Sequence, residues 1–313
     1  MKIMDATHTL PKPAYWAKTK IFINGSPQKR LMIVFKTPPC QKALKGEKCF
    51  VCGFEAHSFG AKNYNLISQF NYLRDLIKKE GVEHIDILSS GSILDQKQID
   101  YQQVLGLMKE AKEIKSIKSV LIEGRAEYCH LNKMKGVKKI LNDIELEYGL
   151  GLESYSSYVR NTILKKELKL KDYINCLKKL TKINVGICTY LLMGIPKLST
   201  AESLAETKKS IIKVVDLYKK YRCRGRIALF PIFIAPNTPL EYLYNQKKYK
   251  LISIADVIKV LLEIKKYINL KKYPIFIGLD DENISQGRYL KAKNKKEKKF
   301  LELINKFNYT QEL

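Results

Sequence analysis

No apolar run in this 313-residue chain reaches the roughly 20 residues that a membrane-spanning helix needs. The opening segment, MKIMDATHTLPKPAYW, lacks the apolar centre of a secretory signal. Both absences lead to the expectation of a cytoplasmic protein with no membrane partner. Cysteine is sparse and unevenly placed, with seven in all, which excludes a secreted disulfide scaffold. Acidic residues are also scarce: 31 Asp and Glu face 57 Lys and Arg, a formal net charge of +26. One reading of that charge is a polyanionic partner whose phosphates the lysines neutralise. The other is coding rich in A and T, which raises Lys, Ile, Asn and Tyr together, and the 19 tyrosines favour some of it. Charge alone leaves both open.

What the chain does have is an alternation of short apolar strands and amphipathic helices, the pattern of a parallel sheet with crossover helices. The strands are expected at Leu31–Phe35, His84–Leu88, Ser119–Glu123, Ile144–Gly149, Val185–Leu192 and Arg226–Phe233. Helices are expected between them at Asn63–Glu80, Asp100–Lys115, Leu131–Leu141, Leu168–Ile183 and Thr200–Tyr221. In the first of these, Leu66, Phe70, Leu73 and Ile77 recur at helical spacing. Six βα units are too few for a closed eightfold barrel and suit a partial one. The expected fold is therefore α/β, a partial (βα)6 TIM-like barrel with a C-terminal α/β extension. The division expected is residues 1–236 for the barrel with its N-terminal extension and residues 237–313 for the extension packed on it. In that extension lie a helix near Ser253–Ile268, the apolar piece YPIFIGL and a basic tail. The tail's Phe300, Leu301, Ile304 and Phe307 form a stripe suited to core packing.

Three of the cysteines fall within thirteen residues, as TPPC-QKALKGEK-CFVCGF directly after the first expected strand. Thiolates of Cys40, Cys49 and Cys52 at that place can ligate three irons of a cubane and leave the fourth open. The alternatives are a plain electron-transfer cluster and structural zinc, with His57 as a fourth ligand. Position favours the cubane, because barrel active sites form at the C-terminal ends of the strands. Cys176, Cys188 and Cys223 lie in apolar-periodic stretches and read as buried structural thiols, while Cys129 follows a strand end.

The other strand ends carry loops of matching character. Ser89-Ser90-Gly91-Ser92 follows the second strand, where glycine lets the backbone approach a ligand and serines add hydroxyls. Glu123 and Arg125 follow the third strand and are candidates either for the active site or for a salt bridge between loops. Gly151-Leu152-Glu153-Ser154 follows the fourth strand, and Met193-Gly194-Ile195-Pro196 the fifth.

Taken together, these residues resemble the radical S-adenosylmethionine (SAM) superfamily. Within it they resemble the radical SAM subunit of archaeosine synthase and the related elongator-type proteins. The resemblance runs from about Trp16 to Val260. It rests on the Cys-x8-Cys-x2-Cys loop followed by Gly53, on SGSILD, IEGRAEYC, GLES and YLLMGIPKLSTAE, and on PIFIAPNTPLEYLYNQKKY. The first cysteine interval is five residues longer than in most of the superfamily. The resemblance implies a [4Fe–4S] cluster on Cys40, Cys49 and Cys52, with SAM held by Ser90, Gly91, Ser92, Glu153, Ser154, Gly194, Ile195 and Pro196. Glu123 and Arg125 are then the expected catalytic residues. It also implies tRNA as substrate, with C–N cleavage of a lysyl adduct on a 7-deazaguanine base. A partner transferase subunit and an electron donor such as ferredoxin or flavodoxin would accompany that role. The competing readings are a radical SAM enzyme of small-molecule or peptide biosynthesis and a zinc-stabilised RNA-binding protein.

Overall fold

The computed structural model describes residues 11–58 and 64–313. The chain opens with a hairpin, β1 (Tyr15–Ile23) and β2 (Ser26–Val34), paired antiparallel from Ile23 opposite Ser26 to Tyr15 opposite Val34. Asn24 and Gly25 make the turn at φ 52° and 80°, the left-handed pair that a two-residue hairpin turn needs. Six further strands follow in order: β3 (His84–Leu88), β4 (Ser119–Gly124), β5 (Glu145–Glu153), β6 (Gly186–Met193), β7 (Gly225–Pro231) and β8 (Ile275–Ile277). They line up β1-β2-β3-β4-β5-β6-β7-β8, and every pair from β2 to β8 is parallel.

The six βα units expected from the sequence are β2 to β7. The structure adds β1 before them and β8 after them, so residues beyond 236 contribute a strand to the same sheet. The helices are α1 (Gln41–Leu44), α2 (Leu66–Glu80), α3 (Tyr101–Lys112), α4 (Leu131–Leu141), α5 (Leu170–Lys182), α6 (Thr200–Tyr221), α7 (Pro239–Asn245), α8 (Ile254–Ile264) and α9 (Lys295–Thr310). In α2 the buried face holds Leu66, Phe70, Leu73 and Ile77, the stripe read from spacing. Asn63, where that helix was expected to begin, lies outside the described residues, and the helix starts behind the Asn65 cap. No helix among the described residues is long and apolar enough to cross a membrane.

The barrel interior is layered. At the floor, near the N-terminal ends of the strands, charges are paired and buried. Arg30 Nε donates to Asp86 at 2.7 Å. His84 bridges Asp86 and Ser119 at 2.7 Å on each side, and Arg226 Nε donates to Glu147 at 2.9 Å. Burial alone would raise the Asp86 carboxyl, but the Arg30 guanidinium and His84 hold it well below the usual range. Above lies an apolar layer of Met32, Val34, Leu88, Leu121, Cys188 and Ala228. The mouth above that is where the loops gather.

Between β1 and β8 the sheet is not hydrogen-bonded to itself, and α9 lies along that seam. Its Ile304 and Phe307 are fully buried, with Phe300 and Leu301 packed alongside, as the stripe implied. Its last turn also finishes the edge strand with side-chain amides. Asn308 accepts from the Ile277 N–H at 2.7 Å and donates to the Ile277 carbonyl at 2.9 Å. Gln311 does the same for Ile275, at 2.8 and 3.0 Å. An exposed strand edge is thereby capped, and no other chain can pair with it. Replacing Asn308 with Leu leaves two buried backbone groups of β8 unpartnered and should cost about 1–3 kcal/mol. Denaturant unfolding measures this, and a variant as stable as the parent contradicts it.

Candidate active site

The cysteine loop leaves β2 through Thr37-Pro38-Pro39, a segment that two prolines keep extended. Cys40 then caps the short helix α1, its Sγ accepting from the Ala43 N–H at 3.3 Å. Further along, the Phe50 N–H donates to the Leu164 carbonyl at 3.0 Å, and the Cys52 N–H to the Cys49 carbonyl at 3.1 Å. Between these two cysteines the Phe50 side chain is buried with Ile163, Leu164, Ile195 and Ile234. Next to Cys52, Gly53 lies so close to Ala235 and Ile284 that a side chain there would collide with both. The loop is therefore pressed onto the segments that follow β5, β6 and β7, with its three thiols partly buried.

Cations gather beneath it. Lys166, Arg125 and Lys42 all act on Cys49 to lower its proton affinity, yet burial, with the Glu153 carboxylate adding to it, outweighs them and the thiol is raised. Burial and the neighbouring Cys49 push Cys52 up to about 12. Lys166 is held by Glu153, Nζ to Oε1 at 2.6 Å. Burial works against its charge, but Glu153 and Cys49 more than restore it. Glu153 sits at a bulge in β5 with φ 65°, which turns its side chain to this pair. A side chain on Gly151 would fall 2.6 Å from Lys166 Nζ and 2.7 Å from Glu153 Oε1, so the glycine makes room for the ion pair.

The loop after β3 is tied to the cysteine loop by a residue that sequence reasoning did not single out. Gln98 is buried; its amide donates to the Pro39 carbonyl at 2.5 Å, and its oxygen accepts from the Ser92 N–H at 3.2 Å. Its carboxamide also covers Gly91. Ser92 is turned to the next loop, accepting from the Arg125 N–H at 3.0 Å. Ser90 Oγ is buried without a hydrogen-bond partner among the described residues, as is Thr37 Oγ1 at the start of the cysteine loop. Arg125 reaches across to the carbonyls of Lys166 and Glu167 at 3.0 and 3.3 Å and pairs with Glu127. Glu123 accepts from the Ser89 N–H at 3.0 Å. Burial raises its carboxyl to about 8, with Glu282 and Asp86 adding to the shift.

The remaining expected residues divide. Ser154 is turned away from the thiols: its hydroxyl donates to Glu206 on α6 at 2.6 Å, so its side chain is spent on the fold. Gly194, Ile195 and Pro196 are buried at the end of β6. There the Gly194 carbonyl accepts from Tyr249 at 2.7 Å, and the Ile195 N–H donates to Ser203 at 2.7 Å. Gly194, Ile195, Lys197, Ser199 and Tyr249 border a cavity of about 430 Å³. The structure thus brings Cys40, Cys49, Arg125, Glu153 and the unexpected Lys166 into one charged neighbourhood, with Ser90, Gly91 and Ser92 linked to it through Gln98.

These residues fit an iron–sulfur cluster, which three thiols can hold without a fourth protein ligand. His57 faces Glu282 rather than the thiols. A cluster on three thiolates is anionic, and Lys166, Arg125 and Lys42, each ion-paired with a glutamate, are the cations placed to ease that charge. The unpartnered Ser90 and Thr37 hydroxyls are free to meet a polar ligand.

No family model matches the chain. Over 259 residues, 81% of this chain and 69% of the relative, it is 27% identical to an uncharacterized protein of Methanocaldococcus jannaschii. It is 23% identical to the archaeosine synthase subunit beta of Thermococcus kodakarensis, over 80% of this chain and 76% of that one. Among solved structures it is similar to an archaeal Elp3 from Methanocaldococcus infernus, at TM-score 0.56 and 16% identity over 78% of this chain. It is also similar to Streptococcus suis SuiB solved with S-adenosylmethionine bound, at TM-score 0.53 and 16% identity over 79% of this chain. The chain spans 59% of the Elp3 chain and 49% of the SuiB chain. Methylornithine synthase matches at TM-score 0.56 and 11% identity over 93% of this chain. The fold is accordingly the partial α/β barrel that these structures share and that the alternation of strands and helices implied. Within that class, the curated relatives that carry a functional name are archaeosine synthase beta subunits.

Glu123 offers a test of the mouth's polarity. Its carboxyl, raised from the ordinary 4.5 to about 8, contributes stability that is complete below the unfolded value and lost as pH rises through the folded one. The protein should therefore lose stability between those limits relative to Glu123→Gln, by at most about 1.4 kcal/mol per pH unit. Parallel pH profiles for the two proteins contradict this.

Proposed function

We propose that the chain is a radical SAM enzyme holding a [4Fe–4S] cluster on Cys40, Cys49 and Cys52. The observation that carries this reading is the loop itself. Three thiols are pinned after the C-terminal end of β2, beside Lys166 and Arg125, and the loop after β3 that Gln98 ties to them carries the unpartnered Ser90 hydroxyl. When bound, the cluster and SAM supply reductive cleavage of the sulfonium and hence a 5′-deoxyadenosyl radical for hydrogen abstraction.

The chain's own residues place and insulate that chemistry. Lys166 and Arg125 offset the anionic charge at Cys49. Gln98 fixes the spacing between the cysteine loop and Ser89–Ser92, where the unpartnered Ser90 hydroxyl would be the group left to meet the cofactor's polar end. Glu153, held by Lys166, presents a carboxylate for a ribose hydroxyl. Gly194, Ile195 and Pro196 give an apolar floor for adenine. Glu123, protonated near neutral pH by its burial, holds a proton at its carboxyl oxygen and excludes a second negative charge from the mouth.

The substrate we propose is tRNA bearing a lysyl adduct on a 7-deazaguanine base. The adduct is made by a partner transferase and cleaved here at its C–N bond, with a ferredoxin or flavodoxin as electron donor. The sequence similarity to proteins named archaeosine synthase subunit beta and the net charge of +26, suited to phosphate contact, support this choice.

Protein reconstituted anaerobically with iron and sulfide, then reduced with SAM, should release 5′-deoxyadenosine, and Cys49→Ala should abolish it. Stoichiometric zinc binding with no SAM cleavage contradicts the enzyme reading. Affinity for tRNA should fall by about tenfold or more between roughly 50 and 200 mM salt. Binding indifferent to salt would favour a small-molecule or peptide substrate.

A further inference from the structure

A cavity of about 660 Å³ lies between the segment after Cys52 and the turn after β8, and Gly53, His57, Asn237 and Glu282 are among its lining residues. The chemistry described so far uses none of their side chains. His57 Nε2 and Glu282 Oε2 stand 3.5 Å apart, on side chains only 10% and 12% exposed. At that separation the two make a long ion pair, charged only if His57 is protonated, rather than a well-formed hydrogen bond. Each of the two atoms is buried with no hydrogen-bond partner among the described residues. A carboxylate oxygen shielded from water and left unsatisfied is costly, and the cost is relieved by a cation that brings its own N–H donors.

The surroundings narrow the choice of ligand. The other carboxylate on the wall, Glu55, is already paired with Lys48 at 2.5 Å, whereas Glu282 faces His57, which balances its charge only when protonated. An anion would be repelled. A single metal ion lacks a third ligand, since no such group exists among the described residues. A guanidinium fork calls for two parallel acceptors on one carboxylate, whereas here one carboxylate oxygen converges with one ring nitrogen. That arrangement suits a compact ammonium with three rotatable donors.

The backbone that presents Glu282 is held in place. Glu282 and Asn283 are both left-handed, at φ 53° and 60°, and their N–H groups donate to Asp280 and Asp281 at 2.7 and 3.2 Å. Conformations of this kind persist where surrounding contacts enforce them. The cavity adjoins the cysteine loop, for Gly53 on its wall directly follows Cys52, and the charge of Glu282 is felt at Glu123.

We propose that this cavity is a subsite for a primary ammonium group of the substrate, held between Glu282 and His57. The inference rests on the mouth of the barrel being the reaction site, and it adds a recognition element there. Burial raises the Glu282 carboxyl against the opposing pull of His57, and a cation seated beside it would favour the ionised form.

The test is titration of the full chain with n-butylammonium chloride and, separately, with n-butanol, followed by calorimetry or ligand-observed NMR at fixed ionic strength. The wild type should bind the ammonium about tenfold more tightly than the alcohol. Glu282→Gln should lose that preference, and Glu282→Asp, which keeps the charge, should retain part of it. Equal binding of the two probes to wild type, or no binding of either, overturns the inference whether or not the variants fold. So does a Glu282→Gln protein that binds the ammonium as wild type does. Release of 5′-deoxyadenosine by wild type is read separately. SAM cleavage without ammonium binding removes only this inference, and ammonium binding without SAM cleavage removes only the proposed function.

Discussion

A buried thiol cannot take on negative charge unless a positive one stands beside it, and the mouth of this barrel is arranged around that constraint. Cys49 sits where burial favours the neutral thiol, and Lys166 and Arg125 are the cations that oppose it. Each cation is itself costly to bury and needs support. Lys166 leans on Glu153, which reaches it through a bulge in β5 and over the space left by Gly151. Arg125 leans on Glu127 and on two backbone carbonyls. The loops after β2, β4 and β5 are thus bound to one another by the charge requirement of one cysteine.

The rest of the molecule keeps that arrangement rigid. The floor of paired charges, Arg30 with Asp86 and Arg226 with Glu147, fills the bottom of the barrel with groups whose partners are fixed. The apolar layer above it separates the floor from the mouth. At the seam, the amides of Asn308 and Gln311 complete β8, so an open sheet behaves as a nearly closed one. Phe50 ties the cysteine loop to the apolar cluster that includes Ile195 and Ile234.

Much of this was legible in the sequence, because parallel strands and amphipathic helices leave strong periodic signals. The six central βα units, the α2 stripe and the apolar stripe of α9 all follow from spacing. The hairpin strand β1 lies outside the sequence expectation although Asn24-Gly25 is a strong turn signal, because Lys18, Thr19 and Lys20 interrupt its apolar residues. YPIFIGL was noticed as an apolar piece but yields a strand of only three residues, too short for periodicity to identify. In the site, the cysteines stand out by type and spacing. Lys166 does not, because it is one among 57 Lys and Arg and its role comes from burial alone. Gln98 is equally silent in sequence: it matters because the fold lays it under Pro39 and Ser92. Ser154 shows the converse, since its neighbour Glu153 turns to the thiols while its own side chain turns to Glu206.

The proposed cubane on Cys40, Cys49 and Cys52, with one iron open to SAM, is accessible to spectroscopy. Low-temperature electron paramagnetic resonance of the anaerobically reconstituted, reduced protein, with and without SAM, tests it most directly. The account predicts a reduced [4Fe–4S] signal whose g values shift when SAM is added, and loss of that signal in Cys52→Ala. A signal that SAM leaves unchanged, or a reconstituted protein that carries no such signal, would contradict it.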